Sequence, residues 1–583
     1  MAALINALDN YTPSQIGENG HTEYGWSNNI REKILQLSFQ LVRTDKNNIK
    51  HLSIILKDLL SNLKQNVNST IIAEKELARG YLSILYKMIG HTRDIIDGKG
   101  EYNLTYMMIY TWFEFYPTLA LFALRCLVIN DDKKVHQYGS WKDIKYFCEY
   151  CRSRGAHIFH PLIHYAIILM NVQLKTDYDN YCNSSKDISL VAKWVPREKS
   201  TFGWLYESLA TSYFIEYMET ANTDERKVKA ILKCKTGYRK IIAHMNRVID
   251  TLQIKQCANN WSGIDFKNVT SISVSKQKKA FLNVNKKGET KYPDRKDRIE
   301  CADHFTNHVQ RAIKDGTEVK GKRVGMADFT KQALDLLNYS NNETTNQVEF
   351  DLLNSQWRDN ATQTGALGKM IPMVDVSGSM DGDPLHVAIA LGIRIAEKSI
   401  IGKRALTFSA KPSWVNLEPY PDFVSQVRTL RQAEWGMNTN FHAALDTILD
   451  AIIQNKMAPE DVQDLVLVIL SDMQMDVADR NGLTVYDNIK LKYEQAGMRV
   501  HGKPYKPPHI LFWNLRSTSG FPSLSTQPNA SMMSGFSPAL LNLFCDQGLD
   551  ALQTLTPWSL LERSLENDRY KIMEDKLIQE ISV

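Results

Sequence analysis

Asp375-Val376-Ser377-Gly378-Ser379 sets one carboxylate and two hydroxyls at alternate positions of a short polar turn. The turn follows an apolar run, Met370 to Val374, and leads into a helix-like segment that begins near Pro384. Hard oxygen donors gathered where a strand gives way to a helix suit Mg²⁺ or Mn²⁺, which take octahedral oxygen shells and keep part of their water. No His or Cys stands nearby, which argues against zinc. Two further segments carry matching chemistry. Gly436-Met437-Asn438-Thr439-Asn440 precedes a helix starting near Phe441 and offers the Thr439 hydroxyl. Ser471-Asp472 directly follows the apolar run 465–470 and supplies a second carboxylate. Asp375, Ser377, Ser379, Thr439 and Asp472 are therefore expected to converge on one divalent ion.

The elements that must position them alternate between strands and helices from residue 366 onward. Strand-like runs occupy 369–374, 404–409, 464–470 and 509–515, with helices at about 384–399, 441–455, 485–497 and 537–547. Strands that are nearly all apolar are buried on both faces, as in a parallel sheet covered by helices. Ligands of such sheets bind beyond the carboxyl ends of the strands, where the Asp375 turn lies. Residues 30–340 read differently. Ile49, Leu52, Ile55, Leu56, Leu59, Leu60 and Leu63 recur at helical steps, and further helices fit 103–116, 117–130, 141–153, 159–173, 203–221 and 225–254. Stacked antiparallel helical pairs, without a strict sequence period, account for this half. Residues 1–29 read as a flexible arm, and the Asn/Thr/Gln-rich stretch 341–365 as a linker into a C-terminal domain, 366–583.

A chain of 583 residues is too long for one core and predicts two or three domains. Its net charge of +5 is small but uneven. Residues 226–331 hold about 25 Lys/Arg against about 10 Asp/Glu. Within them the segment 276–298 reads as a basic loop or long hairpin carrying Lys276, Lys278, Lys279, Lys286, Lys287, Lys291, Arg295 and Lys296, with Trp261, Phe281 and Tyr292 interleaved. Such a band suits phosphate contacts and base stacking, or a solvated insertion. Eight irregularly spaced cysteines form no disulfide framework, and Cys148-x-x-Cys151 lacks the second pair of a zinc site. The N-terminus lacks a signal-peptide pattern, so a reducing, cytoplasmic setting is expected. The apolar stretch Met107–Ile129 contains Glu114, Pro117 and Arg125, which predicts two buried helices rather than a membrane span. His91, His160 and His164 read as buried or capping residues, and Trp141, Trp194 and Trp204 as packing between helices.

The set Asp375, Ser377, Ser379, Thr439 and Asp472, in this order and in an α/β pattern, resembles the metal-ion-dependent adhesion site of von Willebrand factor A domains. That resemblance implies that both serines bind the ion directly and that Asp375 and Asp472 act directly or through water. It also implies one open coordination position for an acidic group of a partner. The second loop reads Gly-Met-Asn-Thr where the family usually has Gly-Gly-Thr. In the helical half, His91-Thr-Arg-Asp94 with Gly98-Lys-Gly-Glu101, Trp112 to Pro117, Tyr138-Gly-Ser-Trp141-Lys-Asp143 and Ala192-Lys-Trp194-Val-Pro196-Arg-Glu-Lys199 resemble the domain of unknown function 2828 family. Members of that family occur in plants, fungi, bacteria and large DNA viruses of the mimivirus type, so a virion location is implied for a viral member. A helical array fused to an A domain is also similar in layout to the TROVE proteins of the Ro type, which bind small and misfolded RNAs.

The chain has no Gly-x-x-x-x-Gly-Lys-Ser/Thr loop, Gly-x-Ser-x-Gly elbow or His-Glu-x-x-His. The expectation is therefore a non-enzymatic, metal-dependent binding protein that engages a carboxylate of a protein partner, with no membrane role. RNA binding by the basic helical half is the alternative. A magnesium-dependent phosphotransferase or nuclease is third, since such chemistry wants more carboxylates or a free nucleophile.

Overall fold

The computed structural model describes residues 8, 11–338, 343–409, 411–432, 440–462, 464–474, 484–545 and 549–581. The chain enters through a short antiparallel hairpin, β1 (Ser14–Ile16) and β2 (Thr22–Tyr24). Helices follow wherever apolar residues recur at three and four. Between Lys46 and Val67 the stripe Ile49, Leu52, Leu56, Leu59, Leu60 and Leu63 is buried. Asp45 starts that helix by accepting from the backbone N–H groups of Asn47 and Asn48 at 2.7 and 3.0 Å. The stretch Met107–Ile129 divides at Pro117, which opens the second of two helices, Asn103–Phe113 and Pro117–Cys126. Among the described residues no helix is long and apolar enough to cross a membrane. Lys142–Ser153, Pro161–Cys182, Gly203–Tyr213 and Asp224–Val248 extend the array, each packed on another of the set.

Six strands form the C-terminal sheet: β3 (Met370–Asp375), β4 (Arg404–Phe408), β5 (Ser413–Asn416), β6 (Val466–Ser471), β7 (His509–Asn514) and β8 (Ala530–Ser534). Their order is β5-β4-β3-β6-β7-β8, parallel throughout except for the β4–β5 pair. Alternate residues of the central strands serve two cores. Val374, Val468, Leu470 and Trp513 pack with the helix Asp383–Lys398, whereas Met373, Leu467, Ile469 and Phe512 pack with Phe441–Gln454 and Val485–His501. From β3 the chain goes outward to β4 and β5 and then returns past β3 to β6. Strand order therefore reverses between β3 and β6, and a crevice at their carboxyl ends is the usual ligand position of such sheets.

Three regions depart from the sequence expectations. Residues 11–29 of the expected arm are docked: Tyr24 and Phe521 exchange backbone hydrogen bonds of 2.9 Å, and Thr22 bridges to Thr484. Most of the expected linker 341–365 is a helix, Glu343–Ala361. Its polar residues are structural, because Ser355 accepts from the Val319 N–H and donates to Glu318, while Gln356 donates to the Lys320 carbonyl. Trp357 of this helix stacks on Phe423 with ring centroids 3.9 Å apart, and the Arg394 guanidinium covers it at 3.7 Å. Finally, Pro557–Leu565 packs on both β8 and Ile72–Arg93, and Lys571–Ile581 packs on Ile72–Arg93, so these helices join the sheet region to the first half's core. The boundaries 30–340 and 366–583 thus cut across shared packing, and Met326–Asn338 lies on the sheet-side helix Asp383–Lys398.

Candidate metal centre

The register that pairs Val374 with Leu470 starts the turns after β3 and β6 side by side. Asp375 is fully buried. Its Oδ1 accepts from the Ser377 N–H at 2.9 Å, and its Oδ2 accepts from the Ser471 hydroxyl at 2.6 Å. The Ser377 and Ser379 hydroxyls lie 3.1 Å apart. A single turn of 3₁₀ helix, Gly378–Met380, then leads through Gly382 into the helix Asp383–Lys398. Gly382 has φ +96°, a backbone state that side chains oppose.

Across the crevice Asp472 is also fully buried. Its Oδ1 accepts from the Gln474 N–H at 3.2 Å, and its Oδ2 is buried without a hydrogen-bond partner. Met473 holds the turn at φ +63°, a strained state for a methionine of the kind that collects at functional sites. Burial and then the Asp472 charge push the Asp375 carboxyl up to about 7, against hydrogen bonds from Ser377 and Ser471. Burial raises Asp472 as well; the Gln474 N–H, Ser379 and Arg516 oppose this, and Glu18 reinforces it. Among the described residues neither carboxylate has an ion-pair partner. Two buried carboxyl groups, one with an orphaned oxygen, leave a polar desolvation cost that a cation would offset.

Four of the five residues expected from sequence are thus brought together. The fifth, Thr439, lies outside the described residues. Its neighbour Asn440 donates its N–H to the Ser409 carbonyl, just past β4, and caps the helix Phe441–Gln454. Among the described residues no three His, Cys, Asp or Glu side chains gather as a metal cluster. The donor set is therefore two carboxylates and hydroxyls, which fits a hard, partly hydrated cation and not zinc. Sequence reading missed two residues at the rim. Arg516, two residues past β7, donates to the Ser379 carbonyl. Gln474 donates to Glu18 of the N-terminal hairpin at 2.6 Å, and Asn19 donates to the Gln474 carbonyl at 2.9 Å. Neither contact has a local sequence signal.

The motifs of the helical half form a buried polar network. Arg93 grips Asp143 through two bonds of 2.6 and 2.9 Å, and the Tyr106 hydroxyl donates to the same carboxylate at 2.7 Å. Asp94 receives the Arg569 guanidinium at 2.6 and 2.7 Å and the Tyr570 hydroxyl at 3.1 Å. Lys99 donates to the carbonyls of Ser38 and Leu41 and to the Ser534 hydroxyl. Burial lowers its ammonium to about 7. These contacts staple the array to β8 and to the C-terminal tail. His91 is buried beside Tyr570, His160 caps its helix by accepting from the Leu162 N–H, and His164 is exposed. Cys148 and Cys151 are buried free thiols.

Residues 152–297 match a family model described as a domain of unknown function, DUF2828, and residues 369–577 match another, DUF7788. The second match runs from β3 into the final helix and so contains Asp375, Ser377, Ser379 and Asp472. A protein of Acanthamoeba polyphaga mimivirus described as "Uncharacterized protein L728" is 28% identical over 504 residues, covering 83% of this chain and 79% of its own length.

The basic band divides on inspection. Lys278 is buried against Glu349 at 3.1 Å and Gln332 at 2.8 Å, so it has no free charge to offer. Lys276, Lys278 and Lys279 belong to a helix, Ser271–Phe281, rather than a loop. Lys279 donates to the Lys286 carbonyl, Arg295 to Asn259, and Lys296 faces Glu300 at 3.6 Å. Lys286, Lys287 and Lys291 are exposed. Of the interleaved aromatics, Phe281 is in the core and Trp261 is covered by Arg298 at 3.7 Å.

Proposed function

We propose that the C-terminal region is a von Willebrand factor A-type domain that holds Mg²⁺, or Mn²⁺, between the ends of β3 and β6. Asp375, Ser377, Ser379 and Asp472 hold the ion, with Thr439 joining them from its loop. The bound ion supplies a positive centre with an exchangeable water position, and a carboxylate of a protein partner takes that position. The observation that carries this reading is the buried Oδ2 of Asp472, without a hydrogen-bond partner, beside a second buried carboxylate, Asp375, with no ion pair to either among the described residues. The role is binding rather than catalysis, since the nearby serine hydroxyls are committed to each other and to the ion. The helical array fused to this domain gives the chain a TROVE-like layout. A cytosolic setting or a viral particle agrees with its free cysteines and mimivirus relative.

The test is calorimetric titration of the chelator-treated protein with Mg²⁺, followed by capture of carboxylate-bearing partner proteins with Mg²⁺ or with chelator. Stoichiometric binding lost in Asp472→Ala, with partner capture lost in parallel, supports the reading. Absence of Mg²⁺ and Mn²⁺ binding, or capture indifferent to chelator, rejects it. Metal-dependent hydrolysis or phosphoryl transfer that disappears in Asp472→Ala would replace it with the enzymatic alternative.

A further inference from the structure

A second site lies on the helical array, away from the metal crevice. Lys142 sits over the rings of Tyr102 and Tyr146 at 5.0 and 5.1 Å. One turn on, Lys145 sits over Tyr146, Trp194 and Phe202 at 5.5, 5.1 and 5.4 Å. Lys193, beside Trp194, adds a third ammonium at 5.7 Å from that ring. Tyr102, Tyr146 and Phe202 form a run, with centroids 6.4 Å apart from Tyr102 to Tyr146 and 5.2 Å from Tyr146 to Phe202, and Lys145 joins Trp194 to it. Tyr146 is 38% exposed, and the three lysines are half-buried.

These ammonium groups lack counter-charges among the described residues. The carboxylates nearest in the chain are all engaged elsewhere: Asp143 by Arg93, Glu149 by the Trp204 indole N–H and Arg152, and Glu198 by Lys235 and Arg239. Burial lowers the Lys145 ammonium, with Lys142 adding to the effect, and burial also lowers Lys193. Ring faces soften a buried cation only in part. Three partly dehydrated like charges in one strip are a standing cost that a polyanion would remove.

We propose that this strip binds single-stranded nucleic acid, with Lys142, Lys145 and Lys193 contacting phosphates and Tyr146 and Trp194 stacking on bases. Cations alternating with ring faces match the alternation of phosphate and base along a strand. A duplex hides its base faces, and an acidic peptide has nothing to stack on them. No base-edge reader is built into the strip, so recognition is tolerant of sequence. The site uses residues from the Tyr138–Asp143 and Ala192–Lys199 motifs, and it is independent of the metal centre.

Fluorescence anisotropy of the full-length protein with short labelled oligo(U) and oligo(dT), and with a duplex of equal length, tests the site. The single strands should bind better than the duplex, and the two strands separate an RNA from a DNA preference. The triple variant Lys142→Gln, Lys145→Gln, Lys193→Gln should weaken binding about tenfold or more and flatten the log K against log salt slope by about 2. Tyr146→Ala and Trp194→Ala should each weaken it about fivefold or more at unchanged salt slope. Photocrosslinking of a bound strand to the peptide 142–153 in the unaltered protein reads the same site without relying on any variant's folding. Failure to bind either strand, wild-type affinity in the triple variant, crosslinks confined to 276–298, or preference for an acidic peptide would each overturn the proposal.

Discussion

Asp375 and Asp472 are held in a conflict that ordinary folding would avoid: two carboxylates in one dry crevice with a single oxygen left unsatisfied. A site tuned for stability alone would replace one of them. Asp472→Asn should therefore stabilise the metal-free protein by about 1–3 kcal/mol while abolishing the response to Mg²⁺. The unaltered protein should gain about 2.7 kcal/mol at a hundredfold excess of metal over its Kd. Denaturant unfolding with Mg²⁺ and with chelator measures both effects, and a variant that still responds to Mg²⁺ would remove Asp472 from the site. Two buried imidazoles set the acid limit. His91 is pulled down to about 3 by burial and then by the Lys99 charge, and His509 to about 4 by burial. Burial keeps the His509 ring neutral although its Nδ1 faces the Leu552 carbonyl at 3.0 Å, while its Nε2 faces the Ser531 hydroxyl at 2.8 Å. The unfolded chain takes up both protons near pH 6.5, so the share of stability that rests on these two neutral rings is lost as pH drops from 6.5 toward 4. The two rings contribute a limiting slope of about 2.7 kcal/mol per pH unit, offset in part by Asp375, which the folded protein protonates from about pH 7. His509→Gln should reduce the slope of stability against pH below 6.5 by about 1.4 kcal/mol per pH unit, as read by urea midpoints.

Helices in this chain are joined by charge as well as by apolar faces. The Arg93–Asp143 pair is almost wholly buried, so Asp143→Ala leaves a guanidinium with no counter-charge and should cost about 3–5 kcal/mol. The double variant Arg93→Met, Asp143→Leu should recover most of that loss; a single variant as stable as the parent would show the pair to be dispensable. What the sequence made legible follows from range. The stripe from Ile49 to Leu63, the split at Pro117 and the nearly all-apolar strands β3, β6 and β7 are local patterns, and all emerge as read. The proximity of Asp375 to Asp472 was legible because both residues end neighbouring apolar strands. β8, Ala-Ser-Met-Met-Ser, was missed since it lacks β-branched residues and its burial comes from β7 and the helix above it. The three-residue strands of the N-terminal hairpin gain order from Phe521 and Thr484, about five hundred positions away. The polar helix Glu343–Ala361 reads as a linker because its Ser and Gln side chains serve distant loops. The lysine and aromatic strip is assembled from three separate segments, and each segment alone reads only as packing.

The first and last parts of the chain build one core. Tyr570, Met573 and Leu577 are buried with the helix Ile72–Arg93. Removing residues 566–583 should therefore cost more than about 5 kcal/mol at 1.5–3 kcal/mol for each large apolar side chain. The truncated chain should lose its cooperative thermal transition and bind a hydrophobic dye, and the peptide 566–583 added in trans should restore the transition. Full-length-like melting of the truncated chain would mean that the tail rests on the array without completing it. The Asp94–Arg569 bond spans 475 positions, and a ribosome adding roughly 5–20 residues per second needs about half a minute to a minute and a half to cross them. For all that time Asp94 lacks the Arg569 and Tyr570 partners that the finished chain supplies and keeps the local Ile96 N–H. During synthesis the apolar face of Ile72–Arg93 that receives Tyr570, Met573 and Leu577 therefore waits for the last stretch to emerge before it can be covered.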